Sequence, residues 1–160
     1  MRYSVALLLL LCAPAVHGED WLTLGGVSYH LARHNKPSNG TEQENGYDQN
    51  EVNPEIGWER RFSDYHSIGF GGYRNSENHN SLYASYGYRP IRLNQSVSAG
   101  FVAGLVTGYE RYRRYGVMPV VAPVMSFEYR KNRLGMDIIL IPKPPINEEA
   151  VVIFRLKYLY

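Results

Sequence analysis

The chain has 160 residues, a single cysteine, 14 tyrosines and a formal net charge of +2. That length gives one small domain with no linker or second unit. The near-balanced charge excludes a nucleic-acid binder, which needs a strongly basic face, and one cysteine excludes a disulfide scaffold.

The first stretch, MRYSVALLLLLCAPAVHGED, places Arg2 before an apolar run, Val5 to Leu11, followed by small residues and two acids. This is the pattern of a secretory signal over residues 1–18, cleaved before Glu19. The run falls short of the about 20 apolar residues that a membrane helix needs. Lipidation at Cys12 is disfavoured because Leu11 is too large for the preceding position, so Cys12 leaves with the signal. The domain proper then spans residues 19–160 and holds no cysteine.

Eight segments read as strands, over 22–33, 52–62, 65–75, 80–89, 96–109, 118–130, 133–142 and 149–160, and none longer than a turn has helical apolar spacing. Within them side chains alternate. In the third, Ile68 and Phe70 oppose Ser67, Gly69, Gly71 and Tyr73. In the fifth, Val97, Ala99, Phe101, Ala103, Leu105 and Tyr109 oppose Ser98, Gly100, Gly104 and Gly108. In the last, Val152, Phe154, Leu156, Tyr158 and Tyr160 share a face against Arg155 and Lys157. Connections alternate between long or moderate (34–51, 76–79, 110–117, 143–148) and short (63–64, 90–95, 131–132). An apolar outside, a polar and glycine-thinned inside, tyrosines near strand ends and a terminal aromatic make an all-β, antiparallel up-and-down transmembrane barrel of about eight strands. Its expected location is the bacterial outer membrane, with the short turns in the periplasm and assembly by the outer-membrane machinery as a monomer. A soluble lipocalin-like barrel would carry the reverse pattern, apolar inside and polar outside.

Ordered along these strands are Tyr29-His30 ending the first, then NEVNPEIGWERR, YRNSENHNSLYASYGY, MPVVAPVMSFEY and IILIP. In this arrangement the chain resembles PagP, the lipid A palmitoyltransferase family. The most specific pieces are Asn75-Ser76 in their tyrosine-rich setting and Pro119 to Pro123 followed by Ser126 and Tyr129. The resemblance implies transfer of a palmitoyl chain from a phospholipid donor to lipid A, with no metal and no cofactor. It also implies a catalytic set at the external rim: a histidine ending the first strand and an acid-serine pair opening the second external loop. The matching positions are His30, Asn75 and Ser76. An imidazole there takes a proton from the acceptor hydroxyl while hydroxyl and amide groups polarise the donor ester. Asn75 stands where the family has an aspartate, and an amide orients and charge-stabilises an imidazole poorly; the analogous change in a serine-protease triad costs about 10⁴ in rate. Without that resemblance, Asn75-Ser76 reads as a turn opener.

Pro119 and Pro123 on the sixth strand and Pro142 ending the seventh either mark strand ends or leave a gap in pairing between these neighbours. In the family such a gap is a lateral entry for acyl chains. The family's amphipathic helix before the first strand has no counterpart here, where only Glu19-Asp20-Trp21 precede it, and Trp21 is expected as an interfacial anchor or girdle residue. Arg111, Arg113 and Arg114 fall in an external loop, where they read either as a solvated surface or as partners for lipid A phosphates. His79-x-Ser81 has the spacing of outer-membrane lipid A deacylases but lacks the acid on the next strand, and His30, His34, His66 and His79 form no metal spacing. A non-catalytic barrel serving as an adhesin or surface-interaction protein is the competing reading. The lining separates the two: an acyl chain needs an apolar well in the outer half, and Glu59, Asp137, Arg155 and Lys157 argue for a filled structural barrel if they lie high.

Overall fold

In a computed structural model, which describes residues 18–31, 50–109, 116–142 and 150–160, eight strands close into one antiparallel barrel in sequence order. They are β1 (Glu19–His30), β2 (Val52–Arg61), β3 (His66–Arg74), β4 (Asn80–Arg92), β5 (Val97–Val106), β6 (Met118–Tyr129), β7 (Leu134–Ile141) and β8 (Val151–Leu159). The C-terminal strand pairs with the first, from Trp21↔Leu159 to His30↔Val151, so no sheet edge is left open at that join. Residues 1–17 of the signal segment, His34 and the arginines 111, 113 and 114 lie outside the described residues.

Alternation sorts the side chains as lipid requires. Ile56, Ile68, Phe70, Leu82, Phe101, Leu105, Val121, Phe154 and Leu156 are exposed on the outer surface. Ser67, Ser98, Ser126, Glu59, Glu128, Asp137, Arg89, Arg155 and Lys157 are buried inside. A protein built for water has no reason to place its hydrocarbon outside and its ions within.

The interior is divided by height. Toward the short turns, Arg61 forks onto both oxygens of Glu128 at 2.7 and 2.6 Å. Lys157 reaches Glu128 at 2.7 Å and Asp137 at 3.0 Å, and Arg155 reaches Asp137 at 2.6 Å and Glu59 at 3.2 Å. Arg89 donates to Ser126 (2.8 Å), Ser67 (2.7 Å) and Glu59 (3.2 Å). Each acid faces at least two cations or donors, which is what allows such charge to be buried. Toward the loops, the inward positions of β5 to β8 change to Val102, Val120, Ala122, Val124, Ile139, Ile141 and Ile153, one continuous apolar patch. The opposite half-wall stays polar: Tyr83 donates to Glu55 at 2.6 Å and lies 3.1 Å from the Thr23 hydroxyl.

Two expectations are corrected. Trp21 is not an interfacial anchor: it is fully buried in the lumen at the turn end, with the Lys157 ammonium 5.0 Å from its ring. Strand β1 begins at Glu19 rather than near residue 22 because Glu19 and Asp20 pair with Arg61 and Arg60, which brings Trp21 into the ladder on the same face as Thr23. Tyr109 does not continue the lipid face of β5. The strand ends at Val106, Gly108 takes a φ of +84° that side-chain-bearing residues avoid, and the Tyr109 hydroxyl meets that of the inward Tyr73 at 3.1 Å.

Candidate active site and lateral seam

His30 ends β1 at the loop end of the barrel and is buried. Its inward direction depends on a bulge. Thr23 points inward, and strict alternation from there would put Tyr29 inside and His30 in lipid. The register shifts between Leu24 and Gly26 against both neighbours, with one extra residue on β1 relative to β8 and one extra on β2 relative to β1, and this reverses the parity of β1, so that Ser28 and His30 face the lumen. Gly25 has a φ of +40°, and a Cβ on Gly26 would run into the carbonyl of Phe154, so this bulge needs its glycines.

Asn75 and Ser76 follow β3 at the same end. The Asn75 side chain is fully buried, and all four of its hydrogen-bonding capacities are in use. Its amide nitrogen donates to the Ser81 hydroxyl (3.0 Å) and to the Gly108 carbonyl (2.9 Å). Its oxygen accepts the backbone N–H groups of Glu77 (3.0 Å) and His79 (2.8 Å). This is an Asx turn closed on itself and tied to the next loop. Ser76 is half-buried; its carbonyl accepts from the Asn50 N–H at 2.9 Å, and its side chain hydrogen-bonds Tyr109. Burial pushes the Tyr109 phenol above its ordinary value, so it stays a neutral hydroxyl between Ser76 and Tyr73.

His30 and Ser76 thus share one end of the barrel but belong to β1 and to the loop after β3, with β2 between them. Two strand spacings separate such strands by about 10 Å. The arrangement is a pair of groups that can flank a ligand. His79, by contrast, has its imidazole 3.8 Å from Glu77, while the Ser81 hydroxyl accepts from Asn75, so the two residues of the His-x-Ser pattern turn to different partners.

The prolines explain the second feature. The N–H of Glu128 donates to Ser96 of the turn before β5, so even-numbered residues of β6 bond toward β5 and odd-numbered ones toward β7. The β6–β7 register, Val124↔Ile139 through Tyr129↔Leu134, makes 123↔140 and 121↔142 the next bonded pairs. Pro123 and Pro142 lack the N–H each of those pairs requires. Pairing accordingly stops at Val124↔Ile139, although β6 continues to pair with β5 up to Met118 and β7 with β8 up to Ile141. Behind the unpaired stretch lie Val120, Ala122 and Ile141 of the apolar patch. Pro119, on the same outward row as Pro123, removes a further donor on this edge.

No protein-family model matches the chain. No curated protein matches it either. Among solved structures, the solution NMR structure of the de novo designed TMB2.3 matches with a TM-score of 0.59 at 8% identity, covering 89% of this chain and 94% of that one. The chain is an eight-stranded transmembrane β-barrel. At 8% identity the likeness concerns the fold alone, and the apolar outer surface is compatible with an outer membrane. TMB2.3 was designed, so the likeness supplies no biological role. What distinguishes this barrel must come from its own seam and rim. The gap beside Pro123 and Pro142 is marked in the sequence by the prolines themselves, whereas the contact of Tyr73 with Tyr109 is not, because it depends on a left-handed glycine after the strand.

Proposed function

We propose that this barrel takes one acyl chain of a membrane lipid through the β6–β7 seam and transfers it to lipid A at the loop end. The observation that carries this reading is the coincidence of the unpaired, proline-edged stretch with the apolar patch directly behind it. A purely structural barrel gains nothing from ending a ladder in hydrocarbon, where each unmet backbone group costs several kcal/mol. The height of the charged network supports the same reading, since it fills the turn half and leaves the loop half apolar on one side. In this mechanism the patch holds the chain of a palmitoyl-type donor. His30 removes the proton of the acceptor hydroxyl as its oxygen attacks the donor ester carbon, Ser76, linked to Tyr109 and Tyr73, donates to the ester carbonyl oxygen, and His30 returns the proton to the lysophospholipid oxygen as the donor's acyl C–O bond breaks. Asn75 builds the turn that presents Ser76. Arg111, Arg113 and Arg114 of the neighbouring loop are proposed contacts for lipid A phosphates.

The saturation of Asn75 favours a second reading, a barrel of this family's shape that serves as a surface-interaction protein without chemistry, because no carboxylate remains to charge-stabilise the imidazole. Mass spectrometry of lipid A from cells expressing His30→Ala and Ser76→Ala separates the two. The acyltransferase reading predicts a species heavier by one acyl chain that these variants lose while keeping the barrel's heat-modifiable mobility on gels. A product that persists in both variants would remove His30 and Ser76 from the chemistry.

A further inference from the structure

The short turn between β6 and β7 lies at the opposite end of the barrel from the rim, where parity puts the periplasm. It is a three-residue 3-10 turn, Arg130–Asn132, closed by Arg133. The acids at this end are all occupied. Arg130 binds Glu19, Arg60 lies 3.6 Å from Asp20, Arg92 lies 3.1 Å from Asp64, and Arg61 and Lys157 hold Glu128. Lys131 and Arg133 are exposed, and no described acid lies within ion-pair reach of either, so they are this end's surplus charge. On both sides of them the outer surface is apolar and aromatic: Tyr129 and Leu134 flank the turn, and Leu134 pairs with Tyr158 in register. Such a belt marks the boundary of hydrocarbon, which puts the two cations at the depth of the lipid phosphates.

Arg133 carries a second mark. Its backbone is left-handed, with φ 57° and ψ 22°, closing the turn through its N–H onto the Arg130 carbonyl. Glycine or asparagine is the favoured residue in that conformation, as Asn78, the other non-glycine case among the described residues, illustrates. An arginine here is held against backbone preference, so its side chain is what the position supplies.

We propose that Lys131 and Arg133 form a binding site for the phosphate of an anionic phospholipid in the periplasmic leaflet. The guanidinium fork takes two phosphate oxygens, the ammonium a third, and the acyl chains lie against Tyr129, Leu134 and Tyr158. This goes beyond the acyl-transfer reading and does not rest on it, since the site is at the other end of the barrel and faces the other leaflet.

The test is reconstitution of the full chain in vesicles of equal parts phosphatidylethanolamine and phosphatidylglycerol, followed by native mass spectrometry of the lipids retained. The wild type should retain phosphatidylglycerol in excess of its share, and K131Q/R133G should lower that excess by about fivefold for each cation removed. K131R/R133K should keep it. R133G relieves the left-handed strain, so it folds at least as well as the wild type; if the double variant fails to assemble, an about fivefold loss in R133G alone supports the site. Retention unchanged in R133G, no excess in the wild type, or release by inorganic phosphate alone, which marks a free-anion site, would each overturn it.

Discussion

Asn75 shows how one side chain is read differently from sequence and from structure. By position it stands where a carboxylate would orient His30, so that Asn75→Asp would be a gain. By hydrogen bonding it is an amide that must be an amide: a carboxylate would set an oxygen against the Gly108 carbonyl, now an acceptor at 2.9 Å, and leave Ser81 without its donor. Loss of a buried donor facing an acceptor costs about 1–3 kcal/mol. Asn75→Asp should therefore lower the unfolding free energy of the barrel in lipid, measured by urea titration, by that amount, and a variant as stable as the wild type would return Asn75 to the role of a weakened acid. Gly25 and Gly26 are the other decisive residues at this scale. The inward direction of His30 follows from the bulge they form, and Gly26→Ala should cost both stability and any His30-dependent product. The sequence displays the glycine pair, but the parity reversal it causes is set by pairing with β2 and β8, which no local pattern records.

At the scale of strands, the alternation of β3, β5 and β8 was legible because one face meets hydrocarbon and the other meets charge, and the inward set Glu59, Asp137, Arg155 and Lys157 followed from it. Trp21 was not legible, because the pattern of the first strand starts at Leu22 and the pairs Glu19↔Arg61 and Asp20↔Arg60 that extend it are long-range. The β6–β7 seam was legible from composition, since a missing N–H is a property of the residue. Which neighbour it faces came only from register. Restoring the two donors with Pro123→Val and Pro142→Val should let 123↔140 and 121↔142 pair and stabilise the barrel by about 1 kcal/mol per bond. A lower or unchanged denaturation midpoint would show that the gap has a cause other than the prolines. Strand β8 carries the opposite prediction. Deleting Tyr158 to Tyr160 removes the pairs of Leu22 and Trp21 and opens an edge in hydrocarbon, so assembly should fail. A truncated chain that reaches the membrane in normal yield would contradict closure at β1–β8.

For the molecule as a whole, the interior is divided by height. The turn half is a network of buried ion pairs in which each cation meets an acid, and it closes the barrel at that end. The loop half is then free to differ from one side to the other, with apolar residues on β5 to β8 and tyrosines, Glu55 and Thr23 opposite. The seam opens onto the apolar side and the rim groups stand above it. In the proposed function, this arrangement is what would admit a chain sideways and present its head to His30 and Ser76. The most direct measurement is the mass profile of lipid A from cells expressing the wild type and the Pro123→Val/Pro142→Val variant at equal levels in the outer membrane. The account predicts an added acyl chain with the wild type and its loss when the seam is paired; a profile unchanged by the wild type, or a product that persists with the seam closed, would contradict it.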